Sequence, residues 1–192
     1  MPFASYHMSR GDAVNNKVRA LDTRRKANPA LDTPTDLSDA AVRELSAKLN
    51  EILADAFALY LKTKNFHWHV SGRHFRDYHL LLDEQSEQIL GTTDEIAERV
   101  RKISGTTLRS IGHVSQLQTI KDNDESFVPA QDMLRELMND NKHIAASMRA
   151  CHELAEKHED AATAGLLENF IDGTERRTWF LFEASRTGKA DE

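Results

Sequence analysis

Leu45, Leu49, Ile52, Leu53, Ala56, Leu59, Tyr60 and Thr63 recur at intervals of three and four. That spacing draws one stripe along a helix and commits it to lying against other helices. A strand, with its period of two, holds no such set on one face. Ser38 ahead of Asp39, after Pro34, is a helix-start signal, and the periodic run lasts to about Val70. Ser71-Gly72-Arg73 reads as a turn. A second helix then runs from about Phe75 to Ile103, with Phe75, Tyr78, Leu82, Ile89, Ile96, Val100 and Ile103 on one face, and Ser104-Gly105-Thr106-Thr107 ends it. Residues 106–127 are mixed, with a short helix expected at Val114 to Ile120. A third helix starts near Pro129, which suits a first turn, and reaches about His158. A fourth spans about Asp160 to Ala184, with Leu166, Leu167, Phe170 and Ile171 as core candidates. Four long helices with one long link describe an all-α four-helix bundle whose crossover, carrying a short helix, joins helices 2 and 3.

A chain of 192 residues fits one domain. The expected division is a basic N-terminal tail (1–35), a bundle (36–185) and a short C-terminal tail (186–192). The tail carries six basic and three acidic side chains, a balance of +3, so a net charge of −6 leaves −9 on the rest. It has few apolar residues and no period, so a flexible segment is expected. The single cysteine, Cys151, allows no internal disulfide and reads as a buried small apolar residue in a reducing compartment. MPFASYHMSRGDAV lacks an apolar signal core, and no run of about 18 apolar residues occurs. Cytoplasm is therefore the expected location. Gly-rich phosphate loops and nucleophile elbows are missing from the sequence.

Two i,i+4 pairs stand on the second helix, His79 with Asp83 and Asp94 with Glu98. Side chains at this spacing share a face. Taken singly, each pair is commonest as part of a solvated surface. Together the four fall within an arc of roughly 100°. Yet His79 and Glu98 lie about 28 Å apart along the axis, and Asp83 and Asp94 about 16 Å. Ligands of one ion converge within a few ångströms, so one chain cannot close such a site. A two-fold axis can. Both His79/Glu98 and Asp83/Asp94 are centred between Gln88 and Ile89, so an antiparallel copy of the helix sets each residue near its counterpart. Ser86 and Gly91 share this centre, and their small size is expected to allow close approach. His67, at the end of the first helix, can join the His79–Asp83 end. Mixed nitrogen and oxygen ligands suit Fe(II) or Mn(II), with Zn as a competitor.

The stretch KNFHWHVSGRHFRDYHLLLDEQSEQILGTTDEIAERVRKI (Lys64–Ile103) resembles the signature of the Dps family, the small ferritin-like proteins that protect DNA in starved cells. The family pattern is met by His67-Trp68, His79, Asp83, Asp94 and Glu98, the last within Ala97-Glu98-Arg99. TAGLLENFIDGTERRTWFLFEA (Thr163–Ala184), including Trp179, resembles the family's last helix, and the likeness covers roughly residues 38–185. It implies a ferritin-like bundle and a hollow dodecamer, with two-chain ferroxidase centres at two-fold interfaces. There Fe(II) is oxidised, preferably by hydrogen peroxide, and ferric mineral is stored inside. His67, His79, Asp83, Asp94 and Glu98 would then be both metal ligands and catalytic residues. In the family Trp68 and Trp179 would lie near the centre, as quenchers of stray oxidising equivalents or as plain core packing.

Three positions depart from the pattern or stay open. His69 stands where many relatives have Asn and, two residues from His67, points elsewhere. Gly165 stands where relatives often have the aspartate of an iron-inlet pore, leaving Glu159, Asp160 or Asp172 as alternatives. His74, His113, His143, His152 and His158 have no partner pattern and read as ordinary surface or core residues. The basic tail is compatible with salt-sensitive, sequence-independent DNA binding, and equally with a solvated flexible tail. A nucleoid protein with a vestigial iron site is the alternative function.

Overall fold

The computed structural model describes residues 29–186. Most of both expected tails, residues 1–28 and 187–192, lies outside the described residues. Within them, a 3-10 turn (Pro29–Leu31) precedes five helices: α1 (Asp39–His69), α2 (Phe75–Lys102), α3 (Ile111–Leu117), α4 (Ala130–Lys157) and α5 (Ala161–Ser185). No strand occurs among the described residues.

The α1 stripe does what its spacing demands. Leu45, Leu49, Ile52 and Leu59 are fully buried, and the Thr63 hydroxyl returns to the Leu59 carbonyl at 2.7 Å. Ser38 caps α1, its side chain accepting from the Ala41 N–H. On α2, Leu82, Ile89, Ile96, Val100 and Ile103 are buried, but Phe75 is not. It is 46% exposed, because the first residue of α2 projects beyond the end of the core, where its ring leans on His79. On α5, Leu167 and Phe170 are buried, with Leu166 and Ile171 half-buried beside them. Cys151 is fully buried, and burial pushes its thiol up to about 12, so it behaves as a small apolar side chain.

α1 and α2 form one hairpin and α4 and α5 the other. α1 lies along α4, α2 touches α5, and residues 103–129 make the crossover. α2 ends where Ser104 turns left-handed (φ 68°) and Gly105 N–H reaches back to the Val100 carbonyl at 2.8 Å. Gly105 is needed for close approach, since a Cβ there would lie 2.0 Å from Ser46 Oγ of α1. The end of α2 also holds the last residues before the bundle. Thr33 N–H donates to Ser104 Oγ (3.1 Å), and Arg101 donates to the Leu31 carbonyl (2.5 Å).

The short crossover helix begins three residues earlier than its expected start at Val114. Ser110 caps it through the His113 N–H, and beyond Leu117 the chain is claimed by Asp55 of α1. That carboxylate, fully buried, accepts from Thr119 N–H (2.6 Å), Thr119 Oγ1 (2.7 Å) and Ile120 N–H (3.0 Å). Three donors satisfy its two oxygens without a buried cation. They also pin the crossover to α1.

Candidate metal centre

The α1–α2 turn, Val70 to His74, places the end of α1 beside the second turn of α2. Gly72 makes the reversal possible at φ 105°, where a side chain would be strained. His67 and His79 meet across this turn with rings stacked, centroids 3.8 Å apart and planes 21° from parallel. Each ring is held by the other residue's backbone. His67 Nδ1 lies 2.8 Å from the His79 carbonyl, and His79 Nδ1 lies 2.9 Å from the His67 carbonyl. A carbonyl only accepts, so both Nδ1 atoms carry hydrogen. In the neutral imidazole that leaves the lone pair on Nε2, the tautomer that coordination through Nε2 requires.

Asp83 is one helical turn beyond His79. Its Oδ1 lies 3.8 Å from His67 Nε2. Two metal–ligand bonds of about 2.1 Å, bent at the ion, span such a gap, so His67 and Asp83 are spaced to share one divalent cation. The same oxygen accepts a 2.5 Å hydrogen bond from Lys64 Nζ. That ammonium holds the Asp83 carboxyl below its ordinary range, and Asp83 in turn raises Lys64.

Asp94 and Glu98 do not join this group. Both are exposed on α2 toward its C-terminus, and Glu98 takes Lys102 Nζ at 3.0 Å. Among the described residues of one chain, no three His, Cys, Asp or Glu side chains are gathered closely enough to hold an ion. One element of the two-fold register is overturned. Ser86 is fully buried in its own bundle, its hydroxyl on the Asp83 carbonyl at 2.7 Å, so it cannot line an α2–α2 contact. Gly91 is open, with nothing within 4 Å of a built Cβ. Leu80 (48% exposed) and Leu90 (41%) lie on the same side of α2 as Asp83, Asp94 and Glu98.

The ferritin-like domain family model matches residues 46–187. A low temperature-induced protein of Nostoc sp. is 33% identical over 134 residues, 69% of this chain and 75% of its own length. A DNA protection during starvation protein of Halobacterium salinarum is 31% identical over 155 residues, 81% of this chain and 83% of its own. The chain belongs to the Dps family. An archaeal Dps homologue from Halobacterium salinarum also shares its fold, with a TM-score of 0.76 at 27% identity over 88% of this chain and 97% of that one.

In this Dps chain the tryptophans are not core residues, since Trp68 and Trp179 are each 61% exposed. His69 points away, its Nδ1 on the Asn65 carbonyl at 2.8 Å. Asp160 is unsuited to lining a pore. It is buried, caps α5 through Thr163 N–H, and pairs with Arg99 at 2.5 Å, whereas Glu159 and Asp172 are exposed. Three of the remaining histidines have acidic neighbours: His143 Asp55, His152 Glu168 and His158 Glu44. Sequence reasoning missed Lys64. Its only signal is position, one turn before His67 on the same face of α1.

Proposed function

We propose that this chain is a mini-ferritin that binds and oxidises Fe(II) at sites shared by two copies and stores the ferric product inside a dodecameric shell. The reading is carried by the mutual restraint of His67 and His79, which leaves both Nε2 atoms unengaged by the backbone and sets that of His67 3.8 Å from the Asp83 carboxylate. His67, His79 and Asp83 form one wall. Asp94 and Glu98 of a second copy form the other. The exposed Leu80 and Leu90 on the intervening face support burial of that face between copies.

Iron is the substrate, and hydrogen peroxide the preferred oxidant. Two ferrous ions each give one electron, and one peroxide with two protons becomes two waters. Taking both electrons at one site releases no hydroxyl radical, which is how such a protein would protect DNA in the cytoplasm. The protein's part is to fix ligands and leave coordination positions open.

Anaerobic loading with Fe(II) followed by peroxide tests this. The expected result is ferric absorbance with about two irons consumed per peroxide. In the doubly substituted His67→Ala, Asp83→Ala protein that step should slow on the order of a hundredfold, the upper end of the cost of disturbing the groups around metal ligands. Unchanged kinetics would reject the site.

A further inference from the structure

Lys64 Nζ sits on Asp83 Oδ1, the same carboxylate oxygen that faces His67 Nε2 across a gap one metal ion wide. Lys64 rides on α1 three residues before His67, so the ammonium and the imidazole approach Asp83 from one helix. The pair is partly withdrawn from water, with side chains 18% and 40% exposed. On the two-copy reading, three carboxylates (Asp83, Asp94 and Glu98) converge on each site, and their mutual repulsion has to be offset before iron arrives.

We propose that Lys64 is a resident cation of the metal-free site, holding Asp83 in ligating position and competing with the incoming divalent ion for Oδ1. The inference rests on the proposed two-copy metal site. The ion that bonds His67 and Asp83 displaces the ammonium, which swings out on its four-carbon stem and stays charged. No proton need leave. Lys64 is thus a positioning residue that sets the threshold for loading. Its presence makes the ion that needs Oδ1 bind more weakly than an open carboxylate would allow. It also keeps the empty site from collapsing or repelling its partner chain.

The test is anaerobic titration of the assembled full-length protein with Co(II), followed by calorimetry and by the visible absorption of the bound ion. Lys64→Met should tighten Co(II) binding about two- to fivefold, the size of a partly exposed ion pair. Lys64→Arg, which keeps a cation on Asp83, should stay near wild type. Arg76→Met, which removes an exposed cation of α2 not bonded to Asp83, should change affinity less than twofold. Equal tightening in Arg76→Met would show a general field effect and overturn the proposal. So would unchanged or weaker binding in Lys64→Met. The doubly substituted His67→Ala, His79→Ala protein separates the two readings. Wild-type Co(II) binding there rejects the metal site itself. Loss of binding there with no gain in Lys64→Met rejects the role of Lys64 alone.

Discussion

Lys62 is 4% exposed at its side chain and lies between Glu136 (2.9 Å) and Asp140 (2.8 Å) of α4. Burial pushes the Asp140 carboxyl up, and the ammonium draws it back. Removing one partner of a buried pair leaves the other uncompensated. Lys62→Met is expected to destabilise the fold by about 3 kcal/mol, read from urea denaturation. A loss below about 0.5 kcal/mol would show that the pair is dispensable. Asp160 shows the opposite balance. Burial raises its carboxyl, but hydrogen bonds from Arg99 and Thr163 outweigh it and bring the value below the ordinary 3.8. A depressed carboxyl contributes stability that is present above its unfolded value and lost as pH falls through the folded one. Wild type should therefore be more stable than Asp160→Asn at pH 6, and the two melting temperatures should converge as pH drops below about 4. A constant difference across that range would refute the assignment.

At the scale of elements, the four long helices were legible because each carries an unbroken stripe and ends at a recognisable signal. The polar turn 71–73 and the Ser104-Gly105 stop are local chemistry, visible in the chain. The start of α3 was not, because the segment after this helix is held by Asp55, 64 residues from Thr119. No local pattern shows a hydrogen bond of that span. The shared face of the α2 i,i+4 pairs, on which the proposed site rests, was legible from their spacing, whereas Ser86 was misplaced. Small size marks a residue for close approach without saying which neighbour approaches, and here the neighbour is the bundle's own core. Lys64 was invisible because a lysine on a helix face is ordinary until its partner on another helix is known. The open space at Gly91 gives a clean probe of the outer face. Gly91→Trp should leave helicity intact and reduce the native mass. It should also abolish iron oxidation. A full assembly with wild-type oxidation would mean that α2 does not meet its copy there.

For the whole molecule, the charge division matches the two proposed roles. The −9 body suits iron, and the +3 segment before it suits polyanions. Deleting residues 2–26, which lie outside the described residues, should abolish retention of plasmid DNA in a gel while iron oxidation proceeds unchanged. Retention by the truncated protein would place DNA binding elsewhere. The separation of the two proposed ligand walls along α2 has a genetic counterpart. A chain lacking His67 and His79 still offers Asp94 and Glu98, and a chain lacking Asp94 and Glu98 still offers the histidines. Each alone assembles only dead sites. Co-assembled, they pair one intact site with one doubly broken site in every mixed dimer. Two inactive alleles should therefore complement each other, recovering up to about a quarter of wild-type oxidation when chains mix at random through two-fold pairing. Complete absence of recovery in demonstrably mixed shells would mean that each chain builds its site alone.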